Sequence, residues 1–272
     1  MKTEVFDLWE KVPGMCEEVP KITVYTPDEK KGNGAVVIFP GGAYSGRAPH
    51  EGEGYAKFLT DAGYTAFVVD YRVSPHRFPC ELLDARRGVK FARFYAEKYG
   101  IDKNKIAVMG SSAGGHLAAL ASTYFDDIDI EIEKDEIEKE DFIPNAQILC
   151  YPVIRILGKG IAHFGTGQNL LGVEKHAIYG EDFQPDMIAN EKTPRAFIWH
   201  TAADAGVSVL NSYVYASALK KLNIDVEMHI FPHGRHGLGA CVDINKGEDE
   251  KILEHDAQWT NLLINWLEYI GF

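Results

Sequence analysis

The sequence predicts a doubly wound α/β fold built on a largely parallel sheet. Three observations carry that prediction. Short apolar runs rich in β-branched and aromatic residues alternate with stretches of helical periodicity. Several of these runs are continuously apolar, the pattern of strands covered on both faces. Residues 106–125 carry no formal charge and pass from strand-like through glycine- and serine-rich to helix-like composition. Their length would span a bilayer by count, but Gly110, Ser111, Ser112, Gly114, Gly115 and His116 make the middle too polar for a lipid-facing helix. The stretch reads as a buried strand, a sharp turn and a buried helix.

Taken in order, strands are expected at residues 22–26, 35–39, 65–70, 105–109, 146–151, 196–200 and 226–231. The segment AVVIF at 35–39 is wholly apolar and runs directly into Pro40-Gly41-Gly42, a turn signal. Helices are expected at 55–62, 80–99, 113–124, 207–222 and 250–270. Strands alternating with helices call for right-handed crossovers. No internal repeat and no Gly/Ser- or Pro-rich linker divides the chain, so residues 1–272 are read as a single α/β domain.

Two stretches break the rhythm. Residues 126–141 hold ten acids and two lysines, a net −8 that is two-thirds of the whole −12. They read as a solvated insertion or frayed helix, with a contact surface for a basic partner as the alternative. Residues 155–194 form a long connection with little periodicity, and a substrate-facing cap is expected there.

Composition bounds the rest. With 272 residues, 46% hydrophobic and 25% charged, the chain has the balance of an ordinary globular protein and needs no disulfide or metal staple. Lys+Arg 28 against Asp+Glu 40 argues against a nucleic-acid or anionic-membrane surface. Cys16, Cys80, Cys150 and Cys241 are scattered and form no CxxC, which argues against a zinc site or disulfide framework and fits a reducing compartment. Met1-Lys2-Thr3-Glu4 leads into polar residues rather than a signal-peptide core, so a soluble, cytoplasmic protein is expected.

The sharpest chemical signal is Gly110-Ser111-Ser112-Ala113-Gly114, a G-x-S-x-G between the strand-like KIAVM and the helix-like AGGHLAALA. A nucleophile at such a turn needs small flanking residues, because the backbone there is strained. Gly110, Ala113, Gly114 and Gly115 provide them. The helix N-terminus behind Ser112 favours developing negative charge.

A serine hydroxyl needs a base. In a strand–turn–helix hydrolase the partners come in the order Ser, acid, His, each in a loop after a later strand. Asp204, after the 196–200 strand, is the only carboxylate between Arg195 and Leu222. Its competing role is to cap the helix that follows. His233 and His236 both follow the last strand. His236 lies further into the loop, and Gly237 after it permits the turn that aims an imidazole over the sheet. His116 lies a turn down its helix, and with His200 and His229 it reads as structural.

The oxyanion donors are expected at Ala113 and at Gly42 or Ala43. His233 and His236 lack a third ligand, and His50-Glu51 lacks the second His of HExxH, so no metal and no cofactor is expected. Asp70, Arg72 and Asp84 read as structural ion-pair or anchoring residues.

Pro40–Tyr44 (PGGAY), Val68–Arg72 (VVDYR), Gly110–Ala118 (GSSAGGHLA), Phe197–Asp204 (FIWHTAAD) and Phe231–Gly239 (FPHGRHGLG) resemble α/β-hydrolase fold carboxylesterases, in particular acetyl-xylan-esterase-like and hormone-sensitive-lipase-related enzymes. The resemblance implies Ser112, Asp204 and His236 as the triad, with Gly42/Ala43 and Ala113 as the oxyanion hole. It departs at Phe39-Pro40, where many relatives carry the histidine that opens an H-G-G-G loop, so the hydrogen bond holding that loop is missing or comes from elsewhere. It implies hydrolysis of short acyl esters, with O-acetyl groups on sugars or on imported xylo-oligosaccharides as the expected substrate. The partner is then a small-molecule ester, with no nucleic acid or membrane, and a homo-oligomer is compatible with the sequence. The alternatives are a peptidase-type serine hydrolase and a non-catalytic binding protein on the same fold. A nucleotide-binding protein is disfavoured, because neither G-x-x-x-x-G-K-[ST] nor an early G-x-G-x-x-G is present.

Overall fold

A computed structural model describes residues 1–14, 19–132, 134–241 and 247–272, so Cys16 and Glu133 lie outside the described residues. The amino-terminal half contains β1 (Lys2–Asp7), β2 (Lys21–Thr26), β3 (Ala35–Phe39), α1 (Pro49–Asp61), β4 (Thr65–Val69), α2 (Cys80–Phe94), β5 (Ile106–Ser111) and α3 (Ser112–Ala121). The remainder contains β6 (Ala146–Cys150), α4 (Phe164–Leu171), α5 (Val173–Tyr179), α6 (Pro185–Ile188), β7 (Arg195–Thr201), α7 (Leu210–Lys221), β8 (Val226–Phe231), α8 (Glu250–Asp256) and α9 (Gln258–Tyr269).

The strands form one eight-stranded sheet in the order β1-β2-β4-β3-β5-β6-β7-β8. β1 and β2 are antiparallel to their neighbours, and every pairing from β4 through β8 is parallel. The expected α/β-hydrolase architecture is therefore what forms.

Strand alternation sends Val37, Val69, Val108 and Ile198 to one face, under α2, α3 and α7. It sends Val36, Ile38, Met109 and Trp199 to the other, under α1 and α9. Because β3, β5, β7 and β8 run parallel, their carboxyl ends open on the same edge of the sheet, where ligands bind in open α/β folds.

Several elements differ from the sequence reading, each for a local reason. β1 was not expected. Its residues pair with β2 from Lys2↔Thr26 to Asp7↔Lys21, but it is an edge strand with mostly exposed side chains and so lacks an apolar run. α1 starts at Pro49 rather than at residue 55, since proline at a first helical position gives up an amide that has no partner there anyway. The expected helix over 250–270 is two helices that meet at Ala257. The 155–194 connection is not irregular but carries α4, α5 and α6.

The acidic stretch is solvated only in part: Asp126, Asp127, Asp129, Glu131 and Glu136 are exposed, but other side chains turn inward. Ile128, Ile130, Ile132 and Ile137 pack against the core. Asp135 and Glu138 ion-pair with Arg87 of α2, whose side chain is 2% exposed, and Glu138 also pairs with Lys90. The acids thus strap the segment across a basic helix face. The charge-free stretch is β5 and α3, and no helix among the described residues is long and apolar enough to cross a membrane.

Candidate active site

β5 hands directly to α3, and Ser112 at the junction has φ 52°, a left-handed conformation that a side-chain-bearing residue rarely adopts. Glycines make the tight turn feasible. A Cβ on Gly110 would lie 2.1 Å from the Gly114 carbonyl oxygen, and one on Gly114 would lie 2.0 Å from that of Phe39. Close approach here presses the start of α3 against the end of β3, so the serine and the loop after β3 share one edge.

Ser112 Oγ lies 2.9 Å from His236 Nε2, and His236 Nδ1 lies 2.7 Å from Asp204 Oδ2. A carboxylate can only accept, so Nδ1 carries the proton and Nε2 of the neutral ring accepts from the serine hydroxyl. The Asp204 side chain is fully buried, whereas that of His236 is 28% exposed. Asp204 Oδ1 accepts the amides of Gly206 and Val207 at 2.8 and 2.9 Å. Asp204 does not cap α7, whose N-cap is Val209; its other oxygen instead closes a turn that precedes the helix.

His200 Nε2 lies 3.3 Å from Asp204 Oδ2 and donates to the Val207 carbonyl, while its Nδ1 accepts from Ser212. Burial alone would raise the Asp204 carboxyl, but hydrogen bonds from His200 and His236 outweigh it and hold the group well below the usual carboxylate range.

The loop after β3 supplies the other half of the constellation. Gly41 packs against Ser112, and Gly42 (φ 139°) and Ala43 (φ 54°) both take positive φ. The amides of Gly42 and Ala43 donate to no protein acceptor among the described residues. Ala113 stands in the first turn of α3, where amides have no intrahelical acceptor. Ala113 adjoins the serine in sequence, and the loop that carries Gly42 and Ala43 meets Ser112 through Gly41.

Groups from elsewhere in the chain hold this loop. Gly41 N–H donates to Glu51 at 2.8 Å, Tyr71 donates to the Pro40 carbonyl at 2.5 Å, and Asn169 of α4 donates to the Ala43 carbonyl at 2.8 Å. That last bond ties α4, within the 155–194 connection, to the loop after β3. Sequence reasoning weighed Glu51 only as part of an incomplete metal motif and did not single out Tyr71, Tyr151 or Asn169.

The rival histidines are placed elsewhere. His116 is buried. Its Nε2 donates to the Phe183 carbonyl, so its Nδ1 accepts from Tyr44 at 2.9 Å, and burial lowers its pKa to about 4. It remains neutral and holds Tyr44 of the loop after β3. His229 pairs with Glu227, and His233 is exposed beside Lys251 and His255. His163, the N-cap of α4, lies within electrostatic reach of His236 and Asp204.

Arg72 pairs with Asp84, both side chains fully buried, and Asp70 lies 3.8 Å from Arg47. No group of three His, Cys, Asp or Glu residues suited to a metal occurs among the described residues. A cavity of about 700 Å³ bordered by Phe78, Tyr124, Tyr179 and Phe183 opens at the far end of α3.

Comparison with known proteins agrees with this architecture. The chain is 34% identical over 232 residues to endo-1,4-beta-xylanase B of Butyrivibrio fibrisolvens, covering 83% of this chain and 35% of that protein. It is 30% identical over 224 residues to an acetylxylan esterase of Xylanibacter ruminicola, covering 80% and 44% respectively. It therefore spans less than half the length of either curated relative. A crystal structure of an acetyl ester-xyloside bifunctional hydrolase from Caldicellulosiruptor lactoaceticus superposes with a TM-score of 0.87 at 39% identity, covering 99% of this chain and 97% of that one. The resemblance to acetyl-xylan-esterase-like proteins is thus borne out. A family model matches residues 22–219, from β2 into α7 and across both Ser112 and Asp204, and the chain belongs to the BD-FAE family.

Proposed function

We propose that this chain is a serine carboxylesterase that removes short acyl groups, with O-acetyl groups on sugars or xylo-oligosaccharides as its substrates. The observation that carries the reading is the continuous hydrogen-bonded line from Ser112 Oγ through His236 to Asp204, beside the unengaged amides of Gly42 and Ala43. Ser112 attacks the ester carbonyl while His236 Nε2 takes its proton. Asp204 keeps the proton of the neutral ring on Nδ1 and stabilises the imidazolium. Ala113 and the 42–43 amides receive the oxyanion, each donor worth about 3 kcal/mol in the transition state. His236 returns its proton to the leaving alcohol, then activates the water that clears the acyl-enzyme. The choice of acetyl is supported by the relatives named for acetylxylan and acetyl ester–xyloside hydrolysis.

The test is an ester panel from p-nitrophenyl acetate to octanoate with acetylated xylo-oligosaccharides, run on the native protein and Ser112→Ala. Turnover of acetyl esters and fluorophosphonate labelling at Ser112 are expected in the native protein, and neither in the variant. Equal hydrolysis by Ser112→Ala would overturn the assignment.

A further inference from the structure

We infer that Glu51 and Tyr151 are positioning residues that lock the oxyanion loop and the histidine loop at a fixed spacing, an inference that rests on the serine-esterase reading above. Glu51 sits in the first turn of α1 yet is only 3% exposed. A carboxylate in a first turn ordinarily caps its own helix or faces water, but this one caps no amide of α1. Both its oxygens reach outward instead: Oε2 accepts the Gly41 amide at 2.8 Å and Oε1 accepts the Tyr151 hydroxyl at 2.7 Å. The Tyr151 oxygen in turn accepts the Gly239 amide at 2.9 Å. Three hydrogen bonds therefore join the residue before the oxyanion donors to the loop that carries His236.

Two further features show that the link is held in place. Tyr151 follows β6 with φ 36°, a conformation unfavourable for a residue with a side chain, and such strain persists where the surroundings over-determine it. Its ring stands edge-on to the His236 ring with centroids 5.1 Å apart, so displacing the phenol displaces the base. His50, next to Glu51, makes a parallel connection by donating Nε2–H to the Gly237 carbonyl at 3.0 Å. Burial, with the nearby Glu51 carboxylate, keeps the Tyr151 phenol protonated well above the ordinary tyrosine range, so it stays a donor throughout the pH range of hydrolysis. The first turn of α1 thus both holds this loop and ties it to the base.

The experiment measures kcat and KM on p-nitrophenyl acetate per fluorophosphonate-titrated Ser112, for Glu51→Gln, Tyr151→Phe and the double variant. Tyr151→Phe removes only the hydroxyl and leaves the ring against Trp199 and His236, so it reports even where Glu51→Gln fails to fold. A misplacement of catalytic groups on the ångström scale costs on the order of 100-fold. The expected result is kcat per titrated site reduced about 10- to 100-fold in each variant, with KM within about threefold and the double variant close to the worse single one, as members of one connected network behave. Unchanged kcat per titrated site in a folded variant, whatever its Tm, would overturn the inference, as would independent, multiplying losses. Native protein that neither labels at Ser112 nor hydrolyses the ester would instead sink the serine-esterase reading itself.

Discussion

Replacing Asp204 by Asn separates its two tasks. The amide oxygen can still accept the Gly206 and Val207 amides that Oδ1 holds at 2.8 and 2.9 Å. The amide nitrogen then occupies the place of Oδ2, 2.7 Å from His236 Nδ1 and 3.3 Å from His200 Nε2. A donor opposite Nδ1 makes that nitrogen an acceptor and moves the ring proton to Nε2. The base then presents N–H to the serine it must deprotonate. Loss of the correct tautomer costs about 10⁴ in kcat, equivalent to about 5.5 kcal/mol of barrier.

Stability falls much less, by about 1–3 kcal/mol, because only the charge-assisted bonds to one oxygen are lost. That loss carries a pH signature. The native carboxyl is depressed, so its contribution is complete above the ordinary carboxylate range and disappears as pH falls through the folded-state value. The Tm gap between native protein and Asp204→Asn is therefore full above about pH 5 and narrows below about pH 4. Steady-state kinetics on p-nitrophenyl acetate and thermal scans from pH 3 to 8 read both effects. An Asn variant within about tenfold of native kcat would refute the orienting role given to Asp204.

Two other outcomes follow from the same geometry. His236→Ala should lose about 10³-fold or more in kcat and His233→Ala less than about threefold, since His233 is exposed and faces Lys251 and His255 instead of the serine; a larger loss at His233 would reverse the assignment of the base. The double variant Asp135→Asn/Glu138→Gln leaves the buried Arg87 side chain with the Leu8 carbonyl but without its two carboxylates, so stability should drop by about 2 kcal/mol, or about 5 °C in Tm, at unchanged kcat. An unshifted Tm would restore the picture of a solvated insertion.

What could be read in advance follows from how local each constraint is. β3 and β5 are buried along their whole length, so their apolar runs declare themselves without knowledge of any neighbour. The elbow is legible because its own chain must be small at Gly110, Ala113 and Gly114, and Asp204 because no other carboxylate competes in its segment. Glu51 was not legible. In HEGEGYAKF it looks like any acid near a helix start, and its destination is fixed by Gly41 and by Tyr151, a hundred positions along the chain.

The acidic strap lies between these cases, and it shows where a charge run should be read differently. Ile128, Ile130 and Ile132 recur with period two among the acids, which solvation alone does not explain. Arg86, Arg87, Lys90 and Arg93 recur at helical spacing on α2. Neither pattern decides anything by itself. An apolar alternation inside a block of one charge, set beside a helix stripe of the opposite charge, requires the two segments to meet, because apart each would expose isoleucine or bury unpaired cations.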